Sequence, residues 1–199
     1  MQHIILASQS PRRKTLLEWA EIPFEIIVKA TDETYPSSLA IEEVPVYIAN
    51  EKAVTVRQHV QHAFHGAYAG KTILAADTVV VLNNEIIGKP EDRNHAIDIL
   101  KKLSGQTHQV ITGVVILAGE ASIRFADTTE VQFHPLTDEQ IVFYVDKYQP
   151  FDKAGAYAIQ EWIGVVGIQS IKGDFYNVMG LPVSRVVKAL QDLAQSNQV

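Results

Sequence analysis

The 199-residue sequence contains no cysteine. Disulfides, thiolate zinc sites, iron–sulfur ligation and a cysteine nucleophile are thereby excluded. Basic residues are fewer than acidic ones, 17 Lys and Arg against 23 Asp and Glu, so the formal net charge is −6. A chain of that sign has no global attraction for nucleic acid or an anionic membrane. Any polyanion it binds must be met by a local cluster of bases. No apolar run approaches the roughly 20 residues of a membrane-spanning helix; the longest, 73–82, is interrupted by Asp77. Met1-Gln2-His3-Ile4-Ile5-Leu6-Ala7-Ser8 holds no cationic leader. There is no internal repeat, no low-complexity linker, no serine in a G-x-S-x-G elbow and no interleaving of bases with aromatics. The expectation is a cytoplasmic protein with neither nucleic acid nor membrane as partner.

With 47% hydrophobic and 20% charged residues, the chain has the composition of a folded domain. Its pattern alternates strands and helices. Residues 4–7 read as a buried strand. Ser10 and Pro11 then supply an N-cap and a first helical position. A second strand is expected at 24–28, and a helix over about 46–64, with Ala49, Ala53, Val56, Val60 and Ala63 on one face. Residues 72–82 give the strongest strand signal, and Asn83-Asn84 turns it into a hairpin returning at 85–87. A helix over 92–103, apolar through Ala96, Ile97, Leu100 and Leu103, ends at Gly105. Strands follow at 110–117 and 122–133. Thr137 opens a helix with Ile141, Val145 and Tyr148 inward, and 164–171 reads as a strand. Pro182 starts a last helix with Val183, Val186, Val187, Leu190 and Leu193 inward; the tail 195–199 is expected to fray. Strand-rich stretches between helices imply a mixed α/β sheet rather than a purely parallel one.

Several residues fit structure alone poorly. Asp77 sits mid-strand with apolar neighbours on both sides. Buried unpaired it would cost several kcal/mol. It needs a cation, a hydrogen-bond network or an opening to a cleft; a structural Asp bonded to backbone amides is the other reading. The turn Ser8-Gln9-Ser10-Pro11-Arg12-Arg13-Lys14 places three bases in a first helical turn, where they oppose the helix dipole unless an anion joins them. A solvated basic helix start is the plainer alternative. Lys52 falls within the apolar stripe of its helix, so it either snorkels or points into a shared cleft. Lys89 follows the hairpin, and Lys153 lies in a Gly/Ala-rich stretch; taken alone, each reads by default as a surface lysine. Asp32 and Glu33 could offer hard oxygen ligands to Mg²⁺, or be solvated loop acids. His59, His62 and His65 recur every three residues and read as a solvated helix face.

Six blocks occur in order: Ser8-Gln9-Ser10-Pro11-Arg12-Arg13; Ala76-Asp77-Thr78-Val79-Val80; Gly88-Lys89-Pro90; Leu103-Ser104-Gly105 with His108; Lys153-Ala154-Gly155-Ala156-Tyr157-Ala158-Ile159-Gln160; and Gly173-Asp174-Phe175-Tyr176-Asn177-Val178-Met179-Gly180-Leu181-Pro182. Together they resemble the Maf family of nucleoside triphosphate pyrophosphatases, from Leu6 to about Val187. The resemblance implies an inosine-triphosphatase-like (Maf/Ham1-type) α/β fold: one domain over 1–199, with an elongated mixed sheet flanked by helices and two lobes around a cleft. It implies hydrolysis of a nucleoside triphosphate to monophosphate and pyrophosphate with Mg²⁺ or Mn²⁺, and a homodimer is a family-level expectation. The Asp-Thr pair and the Ala-Tyr-Ala-Ile-Gln block resemble the branch acting on dTTP and UTP, modified pyrimidine nucleotides included, in a house-cleaning role. The branch acting on 7-methyl-GTP is expected to carry Asp-Gln at the first place. Glu161 stands where many members have Gly.

On this resemblance Ser8, Arg12, Arg13, Lys52, Lys89 and Lys153 are expected to bind the phosphates, joined by helix amides after Ser8. Asp77 is expected to be catalytic, as proton acceptor, metal ligand or both, with Glu33 completing the metal shell. Arg12, Thr78 and Gln160 are expected to set specificity. Two other readings stay open at this point. One is a non-catalytic nucleotide or nucleic-acid binding protein linked to septum formation. The other is a phosphohydrolase releasing orthophosphate.

Overall fold

Ser10, in extended conformation, accepts the Arg13 N–H at its side chain, and Pro11 begins helix α1 (Pro11–Trp19) as the local sequence dictates. α1 connects strands β1 (Ile4–Leu6) and β2 (Phe24–Ile26) of the computed structural model, which describes residues 3–63, 68 and 70–196. The order continues through a 3₁₀ turn (Ile41–Glu43), α2 (Val44–Ala63), β3 (Ile73–Leu82), β4 (Glu85–Ile87), α3 (Arg93–Leu103), β5 (Thr107–Ala118), β6 (Ala121–Phe133) and α4 (Asp138–Tyr148). A second 3₁₀ turn (Ala154–Ala156), α5 (Trp162–Gly167), β7 (Ile168–Lys172), α6 (Phe175–Met179) and α7 (Val183–Ser196) complete it. The seven strands form one sheet in the order β2-β1-β3-β5-β6-β7, with β4 paired to β3. It is mixed, as expected: β1 runs parallel to β2 and β3, whereas the β3–β4 and β6–β7 pairs are antiparallel.

The chain divides into two compact units. The first comprises the described residues of Met1–Asp77, Thr112–Asp127 and Gly180–Val199. Its core joins Ile5, Ala49, Ala53, Val56, Ile73 and Val115, so the apolar stripe of α2 lies on the strands. Leu6 is in register with Leu74 in the parallel pair. The chain after β1 and the chain at the end of this stretch of β3 therefore leave at the same, carboxyl, edge. Open α/β sheets bind ligands at such edges. The start of α2 presses on β5 at Gly113, where a Cβ would lie 2.2 Å from the Val46 nitrogen.

The second unit comprises Thr78–Ile111 and Thr128–Met179. Its hairpin turns at Asn83 and Asn84, both at positive φ (50° and 65°), a conformation asparagine tolerates better than most residues. α3 is capped by Asp92 and buries Ala96, Ile99, Leu100 and Leu103, while the expected Ile97 is half-buried. Thr137 and Gln140 form a reciprocal capping box at α4. The rings of His108, Phe133 and Tyr157 pack edge to face.

The expected strand over 164–171 is corrected. Residues 162–167 are helical, and only Ile168–Lys172 pairs with β6. Gly164 and Val165 both donate to the Glu161 carbonyl, closing a helical turn. The apolar run is not a buried strand, since Val165 is 82% exposed. Valine's β preference reflects packing in a half-buried sheet, and here the packing is missing. In α7, Val186 and Ala189 are buried while Val183, Val187, Leu190 and Leu193 are half-buried. Among the described residues, no helix is long and apolar enough to cross a membrane.

Candidate active site

The turn after β1 is built on Ser8. Its buried hydroxyl accepts the Ser10 N–H (3.2 Å) and a guanidinium N–H from Arg13 Nη1 (3.1 Å). Arg13 is 9% exposed, and its Nε donates to the Gly180 carbonyl at 2.8 Å. Burial pulls the guanidinium pKa below its ordinary value. The negative charges of Asp77 and Glu33 oppose that shift, and Arg12 adds to it. Ser8, Arg13 and the amides of Ser10 and Arg13 thus brace the turn from inside, while Arg12 is half-buried beside them. The sequence pattern marked the bases here but gave no sign of Gly180 as the acceptor.

Lys52 resolves the anomaly of Asp77. Its Nζ lies 2.6 Å from Asp77 Oδ1 and 2.7 Å from Glu33 Oε1. The Lys52 and Asp77 side chains are 18% and 14% exposed, and that of Glu33 is 51% exposed. Lys52 projects from the apolar stripe of α2 because its ammonium is paired at the carboxyl edge of the sheet. A half-buried carboxylate in strand β3 is tolerable because a cation meets it. One ammonium between two carboxylates leaves the trio with a net negative charge. Two hard oxygens converging on one cation also fit Mg²⁺ or Mn²⁺, which bind through one or two carboxylates and take further ligands from water and phosphate oxygens. Among the described residues, no group of three or more His, Asp or Glu gathers as a metal cage.

The second unit holds the remaining candidates. Thr78 follows Asp77 in β3 and is half-buried. The register Val80↔Ile87 carries the chain beyond β4 back along β3 toward Thr78, and Lys89 lies there exposed. The Gly155 N–H donates to the Gly88 carbonyl at 3.1 Å, tying that strand exit to the segment from Lys153 to Gln160. Gly155 has φ 71°, and a Cβ there would come within 2.9 Å of the Val80 side chain, so only glycine fits. Lys153 is buried rather than a surface lysine; its Nζ lies 2.7 Å from Asp152 Oδ1 and 3.7 Å from Glu161 Oε1. Gln160 is exposed. Of the histidine series, His59 is half-buried, His62 is exposed and His65 lies outside the described residues.

Buried polar groups beyond the sequence candidates support these segments. His108 is 1% exposed, with Nε2 2.7 Å from the Tyr157 hydroxyl. Burial lowers its pKa from 6.5 to about 4 and raises that of the Tyr157 hydroxyl. Tyr144, fully buried on α4, accepts the Ala158 N–H and donates to Glu161 Oε2. The inward face expected for this helix, Ile141, Val145 and Tyr148, left Tyr144 out, and nothing local marked its hydroxyl.

A family model described as Maf-like protein matches residues 3–193. The "dTTP/UTP pyrophosphatase" of Cytophaga hutchinsonii is 49% identical over 190 residues, covering 96% of this chain and 84% of its own. Those of Bacteroides thetaiotaomicron and Phocaeicola vulgatus are 45% and 47% identical over 191 residues, each covering 96% of this chain and 95% of the relative. Among solved structures, the Staphylococcus aureus Ham1 protein aligns with 66% of this chain and 72% of its own at a TM-score of 0.44 and 15% identity.

Proposed function

The chain belongs to the Maf-like protein family, and from that premise we propose that it is a nucleoside triphosphate pyrophosphatase, cleaving dTTP and UTP to the monophosphate and pyrophosphate. The activity named for relatives 45–49% identical over nearly the whole chain supports this reading. The observation that carries it within the molecule is the trio Glu33–Lys52–Asp77 at the carboxyl edge of β3. A pure binder of polyanions gains nothing from two carboxylates at its anion site, whereas a hydrolase needs a proton acceptor there.

In the proposed reaction, water attacks the α-phosphorus and its oxygen forms the new P–O bond. The bond from that phosphorus to the bridging oxygen breaks, and pyrophosphate leaves with the electron pair. Asp77 accepts the proton of the attacking water. Catalysis of this kind is mostly positioning and charge neutralisation. Lys52 and Arg12 face the phosphate oxygens. Ser8 and Arg13 hold the turn that presents Arg12 and are assigned to the phosphates with it. Asp77 and Glu33 would hold a Mg²⁺ or Mn²⁺ ion, which when bound supplies positive charge against the phosphates. Lys89 and Lys153 are assigned to phosphates as well. Thr78, Arg12 and Gln160 discriminate the base; a glutamine amide offers both the donor and the acceptor that a uracil or thymine edge requires.

The test is a panel of dTTP, UTP, CTP, 7-methyl-GTP and a base-modified pyrimidine triphosphate, followed by phosphorus NMR. Monophosphate and pyrophosphate from dTTP and UTP are expected, with turnover stopped by EDTA and restored by Mg²⁺ or Mn²⁺. Release of orthophosphate, or preference for 7-methyl-GTP, overturns the reading.

A further inference from the structure

We propose that Tyr144 and Glu161 form a clamp that fixes the backbone turn presenting Gln160, and so set discrimination between pyrimidine bases without touching the substrate. The inference rests on the reading of Gln160 given above.

The Tyr144 hydroxyl joins both ends of that turn. It accepts the Ala158 N–H at 3.1 Å and donates to the Glu161 carboxylate. The Glu161 N–H in turn donates to the Ala158 carbonyl at 3.1 Å. Ala158 and Glu161 are thus bound to each other and to one oxygen, with Ile159 and Gln160 between them. Beyond the turn, the Glu161 carbonyl accepts from Gly164 (2.9 Å) and Val165 (3.4 Å), starting α5. A Cβ at Gly164 would lie 1.7 Å from the Ile159 carbonyl oxygen, so the backbone is folded hard against itself on that side. Glu161 Oε1 also lies 3.7 Å from the ammonium of Lys153, at the start of the same segment.

Gln160 itself is exposed. The position of an exposed amide depends on the backbone that carries it. Phenylalanine at 144 would fill the same space. It would leave the Ala158 N–H without this acceptor and the Glu161 carboxylate without this donor. The tyrosine oxygen is therefore matched to the turn and not merely to the core. A base edge is read by hydrogen bonds whose geometry is narrow, so a turn that drifts loses discrimination before it loses turnover.

The experiment compares kcat/KM for UTP against CTP in the full chain. Tyr144→Phe is expected to lower that ratio about tenfold, with kcat on UTP changed less than about twofold. Glu161→Ala should reproduce the loss, and the double variant should add nothing to it. Glu161→Gln, which keeps an acceptor for the tyrosine hydroxyl, should restore most of the ratio. Glu161→Ala carries the test alone if Tyr144→Phe folds poorly. An unchanged ratio in Tyr144→Phe and Glu161→Ala, alongside a lowered one in Gln160→Ala, overturns the clamp and leaves the reading of Gln160 standing. A uniform loss of turnover on both nucleotides also overturns it. An unchanged ratio in Gln160→Ala removes the reading and the clamp together.

Discussion

Lys52 and Asp77 come from different elements, a helix and a strand 25 positions apart, and their charged atoms meet at 2.6 Å. The contact places the one acid inside an apolar strand under the control of the one lysine inside an apolar helix stripe. Each is an anomaly alone, and each accounts for the other.

Asp77→Asn keeps the size of the side chain and removes its charge. Release of pyrophosphate from dTTP is expected to fall at least about 100-fold, the scale of a lost general base. Lys52 keeps Glu33 as a partner, so the melting temperature should move little. Near wild-type turnover in the purified variant would falsify the assigned role.

Lys52→Met removes the ammonium and leaves Glu33 and Asp77 facing each other as like charges. The nucleotide KM should rise about tenfold or more for the loss of a phosphate-facing cation. Without nucleotide, however, the variant should bind Mn²⁺ more tightly than wild type, because the two oxygens no longer share a cation. Calorimetric titration with Mn²⁺ reads this directly, and weaker binding by the variant would show that the pair does not form the metal site.

His108 makes stability depend on pH. Its folded pKa is about 4 against 6.5 for the unconstrained side chain, because burial disfavours the imidazolium. Below pH 6.5 the unfolded chain takes up a proton that the folded chain refuses, so stability falls as the pH drops from 6.5 to about 4 and levels off beneath that. The slope is about 1.4 kcal/mol per pH unit within the window. Denaturant unfolding at pH 7, 6 and 5 should show this contribution missing from His108→Phe, over and above any constant loss from the broken Tyr157 contact. Parallel pH curves for the two proteins would contradict it.

Gly113→Ala tests the seat of α2. The new methyl would lie 2.2 Å from the Val46 nitrogen and 2.3 Å from the Pro45 carbonyl carbon, both backbone atoms that cannot rotate away. A loss of about 3 kcal/mol or more is expected. A change below about 1 kcal/mol in unfolding free energy would show that α2 can lift from β5 at little cost.

Sequence by itself determined the local rules. Ser10, Asp92 and Thr137 cap their helices because a side-chain oxygen there reaches an orphan amide within three residues. The Asn83-Asn84 turn and the apolar stripe of α2 likewise depend only on near neighbours. The same locality exposed Asp77 and Lys52 as residues out of place. Tertiary structure decided their partners, since a charge is matched by whatever strand register and packing bring to it. Arg13 meets Gly180 across 167 positions, a partner that no local pattern could supply. Burial of Lys153 and the hydroxyl contacts of Tyr144 are settled in the same way. So is the helix at 162–167, where an apolar run finds no sheet to cover it and closes into a turn.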